Sequence, residues 1–136
     1  MAYWLVKSEP DDWSWDAQVA KGRQGAEWTG IRNFSAQNHL RAMKKGEQPF
    51  FYHTGKERAL VGIVKVIAEA HPDSTDRAWS AVDVAAVKKL PKPVTLEQIK
   101  ADKRFASMAL VRISRLSVQP VSDTEWRALC KMGGLD

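Results

Sequence analysis

Residues 49–88 read PFFYHTGKERALVGIVKVIAEAHPDSTDRAWSAVDVAAVK and contain three runs rich in β-branched and aromatic residues. Two of these runs are Pro49–His53 and Ala59–His71, which a short polar segment separates. In the third run, Trp79–Lys88, apolar and polar residues alternate as in a strand with one buried face. The alternation in Ala59–His71 is imperfect, which is typical of a strand buried on both faces. The stretch therefore predicts three consecutive strands.

The sequence before this stretch predicts one further strand and two helices. Tyr3–Val6 is a short apolar run that predicts a buried first strand. Asp11 and Asp12 supply helix-start chemistry for a helix that continues to about Lys21. A second helix is expected after Asn33, because apolar residues recur there with helical spacing. These apolar residues are Ala36, Leu40 and Met43.

The sequence after this stretch predicts two more helices and one more strand. Lys88–Pro93 contains two prolines and three lysines and predicts a surface connection. Thr95–Gln98 and Ser122–Glu125 have the capping-box pattern, and each predicts the start of a helix. Between them, Met108–Val118 is β-rich and predicts a strand. The element order lacks a βαβ series and therefore predicts one α+β domain, residues 1–136, with a mostly antiparallel, curled sheet.

Composition excludes several classes of protein. The chain has 136 residues, a net charge of +5 and 44% hydrophobic residues, which exclude a disordered chain. No apolar run approaches the roughly 20 residues of a membrane span, and the first residues do not resemble a signal peptide. The single cysteine, Cys130, cannot form an internal disulfide. We therefore expect a reducing, cytoplasmic setting and a monomer without a membrane partner.

Positive charge is concentrated in two blocks of the chain. Residues 31–68 carry seven Lys and Arg against two Asp and Glu, and residues 88–136 carry ten against five. An acidic segment, residues 69–87, lies between them. If the fold brings the two blocks together, they form a basic face that can hold phosphates. The alternative, which composition leaves open, is two solvated faces that keep the protein soluble.

Catalytic and cofactor motifs are absent from the sequence. It contains neither a Walker loop nor a dinucleotide-binding glycine motif, and its three histidines lack the spacing of a metal site. We therefore predict no cofactor and no metal. Ser8, His53 and Glu9 could be drawn as a catalytic trio, but any sequence of this size offers such a combination. These absences argue against an enzyme.

Three strings combine aromatic residues with polar donors at the ends of predicted elements: Lys7–Pro10, Trp28–Asn33 and Phe51–Gly55. They supply an indole face, hydroxyl and amide groups, and cations. Recognition of a single base requires this mixture, because a planar wall contributes about 1–3 kcal/mol and a few hydrogen bonds identify the base edge. Each string also has a structural interpretation: Trp28 can be a core residue and Asn33 a helix N-cap.

The other tryptophans receive separate predictions. Trp4 and Trp126 are expected in the core. Trp13 and Trp15 lie two residues apart near a helix start, so they cannot both face inward and one of them is expected to be half exposed. Trp79 precedes a predicted strand, and its environment stays open.

The ordered motifs of this chain resemble the EVE domain family, which is related to thymocyte nuclear protein 1, belongs to the PUA-like superfamily and is related to YTH domains. The resemblance covers nearly the whole chain. It departs from the family pattern at Ile31, where valine is usual, and at Thr54, where serine is usual. The matching strings are Lys7–Pro10, Trp28–Asn33, Phe50–Thr54, Gly62, Trp79–Val84 and Arg115–Pro120.

The resemblance implies a PUA-like, curled β-barrel flanked by helices, with a pocket related to the aromatic cage of YTH domains. It also implies non-catalytic binding of nucleic acid with a modified base, chiefly modified cytosine in DNA, with RNA as the other candidate. Carried over to this chain, the base pocket comprises Lys7, Ser8, Glu9, Trp28, Asn33, Tyr52, His53 and Thr54. We add Trp79 as a second wall. The candidate phosphate contacts are Arg32, Arg41, Lys44, Lys45, Lys56, Arg58 and Arg115.

Two alternative functions stay open on the sequence. The first is an enzyme that acts on a nucleic acid or nucleotide, with His53 and Glu9 as acid and base. The second is a small-molecule or protein-interaction module whose basic surface is incidental.

Overall fold

A computed structural model describes residues 1–135 and contains one six-stranded sheet. The strands are β1 (Tyr3–Ser8), β2 (Ala26–Trp28), β3 (Gln48–His53), β4 (Ala59–Asp73), β5 (Asp76–Thr95) and β6 (Val118–Val121). The helices are α1 (Trp15–Ala20), α2 (Phe34–Ala42), α3 (Leu96–Ala101), α4 (Ala109–Arg112) and α5 (Asp123–Met132). The α+β class is confirmed. Among residues 1–135, none of the helices combines the length and hydropathy that a membrane-spanning helix requires.

The sheet is mostly antiparallel, as predicted, but it is not a closed barrel. The strand order is β2-β5-β4-β3-β1-β6, and β1 with β3 is the parallel pair. The order ends at β2 and β6, which are three and four residues long and do not pair with each other in the described part of the chain. Helix α2 packs against both β5 and β6. Side-chain packing therefore connects regions of the sheet that strand pairing leaves apart.

The sheet is buried on both faces. On β1, Trp4 and Val6 belong to one hydrophobic cluster, whereas Leu5 belongs to another on the opposite face. The first cluster includes the apolar side of α2, and the second includes residues of α3, α4 and α5. Trp4 and Trp126 are both core residues, as predicted. The first six residues of β4 are all buried, which confirms the expected two-sided burial at its beginning.

Both predicted capping boxes are present. Thr95 accepts a hydrogen bond from the Gln98 backbone, and the Gln98 side chain bonds back to Thr95. Ser122 and Glu125 form the same reciprocal pair at the start of α5. The prediction for the first helix is less accurate, because α1 begins after Ser14, whose side chain provides the N-cap. Local hydrogen bonding thus defines these helix starts.

The prediction of a long strand at Met108–Val118 is wrong. This segment contains α4 and an exposed turn, and only its last residue belongs to β6. Phe105 and Met108 are buried in the second cluster and Val111 packs against it, and this three-residue spacing suits short helical turns against the sheet. The apolar residues of the segment therefore pack by helical turns, although their composition is typical of a strand.

The prediction of a surface connection at Lys88–Pro93 is also wrong, because these residues lie within β5. Lys89 of β5 lies opposite Gly62 of β4. The next paired residue of β5 is Val94, opposite Leu60, so β5 contains a long bulge. Both prolines lie in this bulge, where the chain does not need their N–H groups for the ladder. The short strand β2 was not predicted.

Candidate functional site

A cavity of about 550 Å³ lies between the end of β1 and the β2–α2 loop. Its volume is within the range of small-molecule sites in proteins. Four residues of the predicted base pocket line this cavity: Lys7, Ser8, Glu9 and Trp28. The cavity is also lined by residues outside the predicted base pocket, among them Asp12, Trp13, Glu27, Thr29 and Ser117.

Trp28 is both a core residue and a wall of the cavity. The residue is only 7% exposed and belongs to the first hydrophobic cluster. Its ring meets the Phe51 ring edge-on, with centroids 5.5 Å apart, and its backbone pairs with Val82 of β5. The indole is therefore held by strand pairing and packing before any ligand arrives.

Trp13 forms a second aromatic part of the cavity lining. Trp15 is buried and Trp13 is half-buried, which confirms the expectation for this pair. The Trp13 indole Nε1 donates to Gln18 Oε1 at 2.9 Å, and the buried Gln18 in turn donates to the Val84 carbonyl at 3.1 Å. The Ser8 hydroxyl donates to the Trp13 carbonyl. In the described chain, the Trp13 and Trp28 rings make no aromatic contact with each other, although both line the cavity.

Carboxylates give the cavity a negative lining. Glu9 accepts from the Asp11 backbone N–H at 3.1 Å and from the Thr54 hydroxyl at 3.2 Å. Thr54 therefore positions Glu9. Glu27 accepts from the backbone N–H of Ser74 at 2.9 Å and from its hydroxyl. Together with Asp12, these residues place three carboxylates around the cavity.

Lys7 is the one basic residue of the cavity lining within the described chain. Its Nζ donates to the Ser114 carbonyl at 2.7 Å and lies 5.8 Å from the centroid of the Tyr52 ring. Burial lowers the pKa of Lys7. The Tyr52 ring itself belongs to the second hydrophobic cluster. Because one lysine faces three carboxylates, the cavity attracts hydrogen-bond donors and repels phosphate.

His53 lies behind the cavity and is not among its lining residues. Its Nε2 accepts from the Trp15 backbone N–H at 3.0 Å, and its Nδ1 lies 2.7 Å from Glu57 Oε1. An imidazole whose Nε2 accepts must carry its proton on Nδ1, so Nδ1 donates to Glu57. His53 therefore fixes the start of α1, and the structure does not bring it together with Glu9 as an acid and base facing the cavity.

Arg32 and Asn33 lie directly before α2 and Trp79 lies on β5, and none of them lines the cavity. Asn33 is exposed, and its Oδ1 caps the helix by accepting from the Ala36 N–H at 3.0 Å. Arg32 forms an ion pair of 3.1 Å with the fully buried Asp73 side chain. Trp79 does not line the cavity. The N-cap interpretation of Asn33 is confirmed, and its base-reading role stays a prediction.

The predicted phosphate contacts lie in three regions of the structure. Lys56 and Arg58 belong to the β3–β4 turn and line a separate cavity of about 120 Å³. Arg115 lies in the exposed turn before Ser117, a residue of the main cavity. The third group lies on α2 and its flanking loops and contains Arg32, Arg41, Lys44 and Lys45. Their phosphate-binding role stays a prediction.

No group of three or more His, Cys, Asp or Glu residues suited to a metal ion occurs among residues 1–135.

His71 lies beside the cavity residue Glu27 and forms a hydrogen bond with Asp83 that depends on pH. Its Nε2 lies 2.8 Å from Asp83, its Nδ1 lies 3.0 Å from the Pro72 carbonyl, and the cavity residue Glu27 is 3.8 Å away. The hydrogen bond with Asp83 is the largest of the effects that raise the pKa of His71. A protonated imidazole donates from both nitrogens, which matches the two acceptors.

The stability of the protein is therefore expected to fall as the pH rises above about 6.5, the ordinary histidine pKa. A raised folded-state pKa stabilises the fold fully below the unfolded-state pKa, and this contribution is lost as the pH rises through the folded-state pKa. Thermal melts of the wild type and His71→Gln between pH 5 and 9 measure this contribution. Identical pH profiles of the melting temperature would exclude it.

Comparisons with known proteins concern the family and the fold of this chain. The family model of the EVE domain matches residues 2–132. Mouse thymocyte nuclear protein 1 is 35% identical over 158 aligned residues, which cover 91% of this chain and 70% of the mouse protein.

Solved structures show the same fold. A protein from Agrobacterium tumefaciens is 51% identical, with a TM-score of 0.97 and coverage of 99% of this chain and 94% of that chain. Human THYN1 protein, solved in complex with DNA containing 5-methylcytosine, is 29% identical and has a TM-score of 0.91. The match covers 100% of this chain and 99% of that chain.

A more distant likeness concerns the fold alone. The YTH domain of Zygosaccharomyces rouxii MRB1 protein, solved with N6-methyladenosine RNA, has a TM-score of 0.61 at 15% identity and covers 97% of this chain and 86% of that one. The resemblance stated from the motifs is thus confirmed by the family model, the relatives and the fold. This chain belongs to the EVE domain family.

Proposed function

We propose that the cavity accepts one unpaired or extruded nucleobase, a modified cytosine of DNA, and that the protein is a non-catalytic reader of this base. The observation that carries the proposal is the lining itself: Trp13 and Trp28 border one cavity together with three carboxylates and a lysine. The complex of the related human THYN1 protein with DNA containing 5-methylcytosine supports the same class of ligand.

The chemistry of the lining favours a base with an exocyclic amino group. An indole face stacks on a base and contributes about 1–3 kcal/mol. Carboxylates accept hydrogen bonds from the N4 amino group of cytosine, whereas the O4 carbonyl of thymine would face them unfavourably. Hydrogen bonds from Thr54 and Ser74 position Glu9 and Glu27 at the cavity. The Lys7 ammonium can donate to the base carbonyl.

The sugar–phosphate backbone stays outside the cavity in this proposal, because its lining is acidic. Exposed cations around the rim then hold the flanking phosphates, with Arg115 close to the Ser117 side of the cavity. Extruding a paired base costs a few kcal/mol, and the cost is smallest for a damaged or unpaired base. Phosphate neutralisation and base insertion are thus separate contributions to affinity.

Trp13→Ala is expected to weaken binding to the modified oligonucleotide by about 5- to 150-fold, the equivalent of one lost stacking contact. Fluorescence anisotropy with labelled DNA and RNA strands that carry cytosine, 5-methylcytosine or 5-hydroxymethylcytosine at one position measures the affinity.

Burial of one methyl group alone predicts that the wild type prefers the methylated base by about fourfold. Measurements at about 50 and 200 mM salt give the phosphate contribution from the salt slope.

Tyr3→Ala is the matched control, because Tyr3 is also half-buried but stacks on Trp126, away from the cavity. We expect this variant to bind as the wild type does. Equal affinity of the wild type for all the oligonucleotides would contradict modified-base recognition. A folded Trp13→Ala protein with unchanged affinity would contradict the assignment of the cavity. Binding without a salt slope would favour a small-molecule or protein-interaction module.

A further inference from the structure

The most exposed aromatic side chain in residues 1–135 is Phe34, which is 77% exposed. It is the first residue of α2. Its ring stacks on the Trp79 ring of β5, with centroids 5.5 Å apart and an interplanar angle of 29°. Phe34 is thus exposed on top of the half-buried Trp79, and such an apolar surface is a candidate interaction site.

Contacts of Arg32 and Asn33 support the aromatic pair. The Arg32 guanidinium lies 5.5 Å from the centroid of the Trp79 ring, which is a cation–π distance. Arg32 is itself fixed by the buried Asp73 at 3.1 Å and by the Thr75 hydroxyl at 3.0 Å. The Asn33 cap fixes the backbone that carries Phe34. The pair is therefore ordered before binding, which reduces the entropic cost of using it.

The pair lies one short segment away from the proposed base cavity. Gly30 and Ile31 line the cavity, and Phe34 is only three residues further along the chain. Three residues span at most about 11 Å, even when fully extended. Successive bases of one strand rise by about 3.4 Å. The aromatic pair is therefore at most about three base steps from the cavity lining, which places it within reach of the nucleotides that flank the base in the cavity.

Resting on the proposed function, we propose that Phe34 and Trp79 form an external stacking platform for the base next to the one in the cavity. The local charge favours a nucleic acid over an apolar protein segment as the occupant. Arg32 is partly exposed beside the pair, and Arg41 is exposed on the same helix, where its Nε donates to Ser80, the residue after Trp79. Sites that bind single-stranded nucleic acid combine aromatic stacking faces with flanking cations in the same way.

Phe34→Ala is the direct test, with Val19→Ala as the matched control. Both residues are exposed apolar side chains on helices, and Val19 does not line the proposed cavity. We expect Phe34→Ala to melt like the wild type and to bind the modified single-stranded oligonucleotide about 5- to 150-fold more weakly. We expect Val19→Ala to bind normally. Unchanged affinity of Phe34→Ala would overturn the platform and would assign this surface to another partner.

Photocrosslinking locates the neighbouring base independently of affinity. An oligonucleotide with 5-iodouracil beside the modified cytosine is irradiated with the wild-type protein, and the tryptic peptides are identified by mass spectrometry. Crosslinks in residues 33–41 or 78–88, which contain Phe34 and Trp79, support the platform. Crosslinks confined to residues 24–32, which contain Trp28, or to other peptides overturn it.

The two proposals fail in different ways. A wild-type protein that prefers the modified base but shows neither a Phe34 effect nor platform crosslinks retains the proposed function and loses the platform. A wild-type protein that binds none of the oligonucleotides overturns the proposed function, and the platform with it.

Discussion

Replacing Trp28 with alanine is expected to lower the free energy of unfolding by about 3–5 kcal/mol, the usual cost of truncating a buried tryptophan. The residue is 7% exposed, its ring packs on Phe51, and it belongs to the first core cluster. Loss of the ring leaves a cavity that the paired strands β2 and β5 cannot close. Urea denaturation followed by circular dichroism measures the change.

The buried position of Trp28 determines how its binding role must be tested. Weaker binding of Trp28→Ala could arise from unfolding as well as from a lost stacking surface. Trp28→Phe keeps an aromatic ring in the core and removes part of the stacking face. We expect this variant to stay folded at 25 °C and to bind the modified base less tightly than the wild type. If the free energy of unfolding of Trp28→Ala falls by less than about 1 kcal/mol, the ring does not support the core.

Replacing Asp73 with alanine is expected to cost about 3 kcal/mol of stability and to weaken binding at the cavity. Its buried carboxylate accepts from the Gly30 N–H at 3.0 Å, from Arg32 at 3.1 Å and from the Thr75 N–H at 2.7 Å. It thereby ties the β2–α2 loop, which contributes Gly30 and Ile31 to the cavity, to the β4–β5 turn. Without it, buried donors lose their acceptor and the cavity wall is released.

The charge of Asp73 adds a pH signature to this prediction. Burial alone would raise the pKa of Asp73, but hydrogen bonds from Thr75, Gly30 and Arg32 outweigh it and hold the pKa far below its usual range. A lowered folded-state pKa stabilises the protein above the unfolded value of about 3.9, and this stability is lost as the pH falls through the folded-state pKa. In acid-unfolding measurements, the stability of Asp73→Ala should therefore depend less on pH than the stability of the wild type. Asp73→Asn, which keeps one acceptor oxygen, should fall between the two in stability at neutral pH.

The features predictable from the sequence are those that depend on neighbouring residues. The capping boxes at Thr95 and Ser122 formed as predicted, because their hydrogen bonds span only three residues. Met108–Val118 was misassigned because the same apolar residues suit a strand or short helical turns, and only the packing partner distinguishes them. The bulge in β5 depends on its pairing with β4, which lies outside any local pattern.

The sequence by itself determined the order of the strands and helices apart from β2 and α4, the α+β class and the strings rich in aromatic and polar residues, because these follow from periodicity and residue type. Only the tertiary structure decided which of those residues meet at the cavity. It placed Trp13 beside the cavity, Trp79 against Phe34, and His53 against the backbone of Trp15. The reason is that these neighbours are brought together by pairing and packing between distant segments, and a side chain in a local sequence pattern carries no record of that geometry.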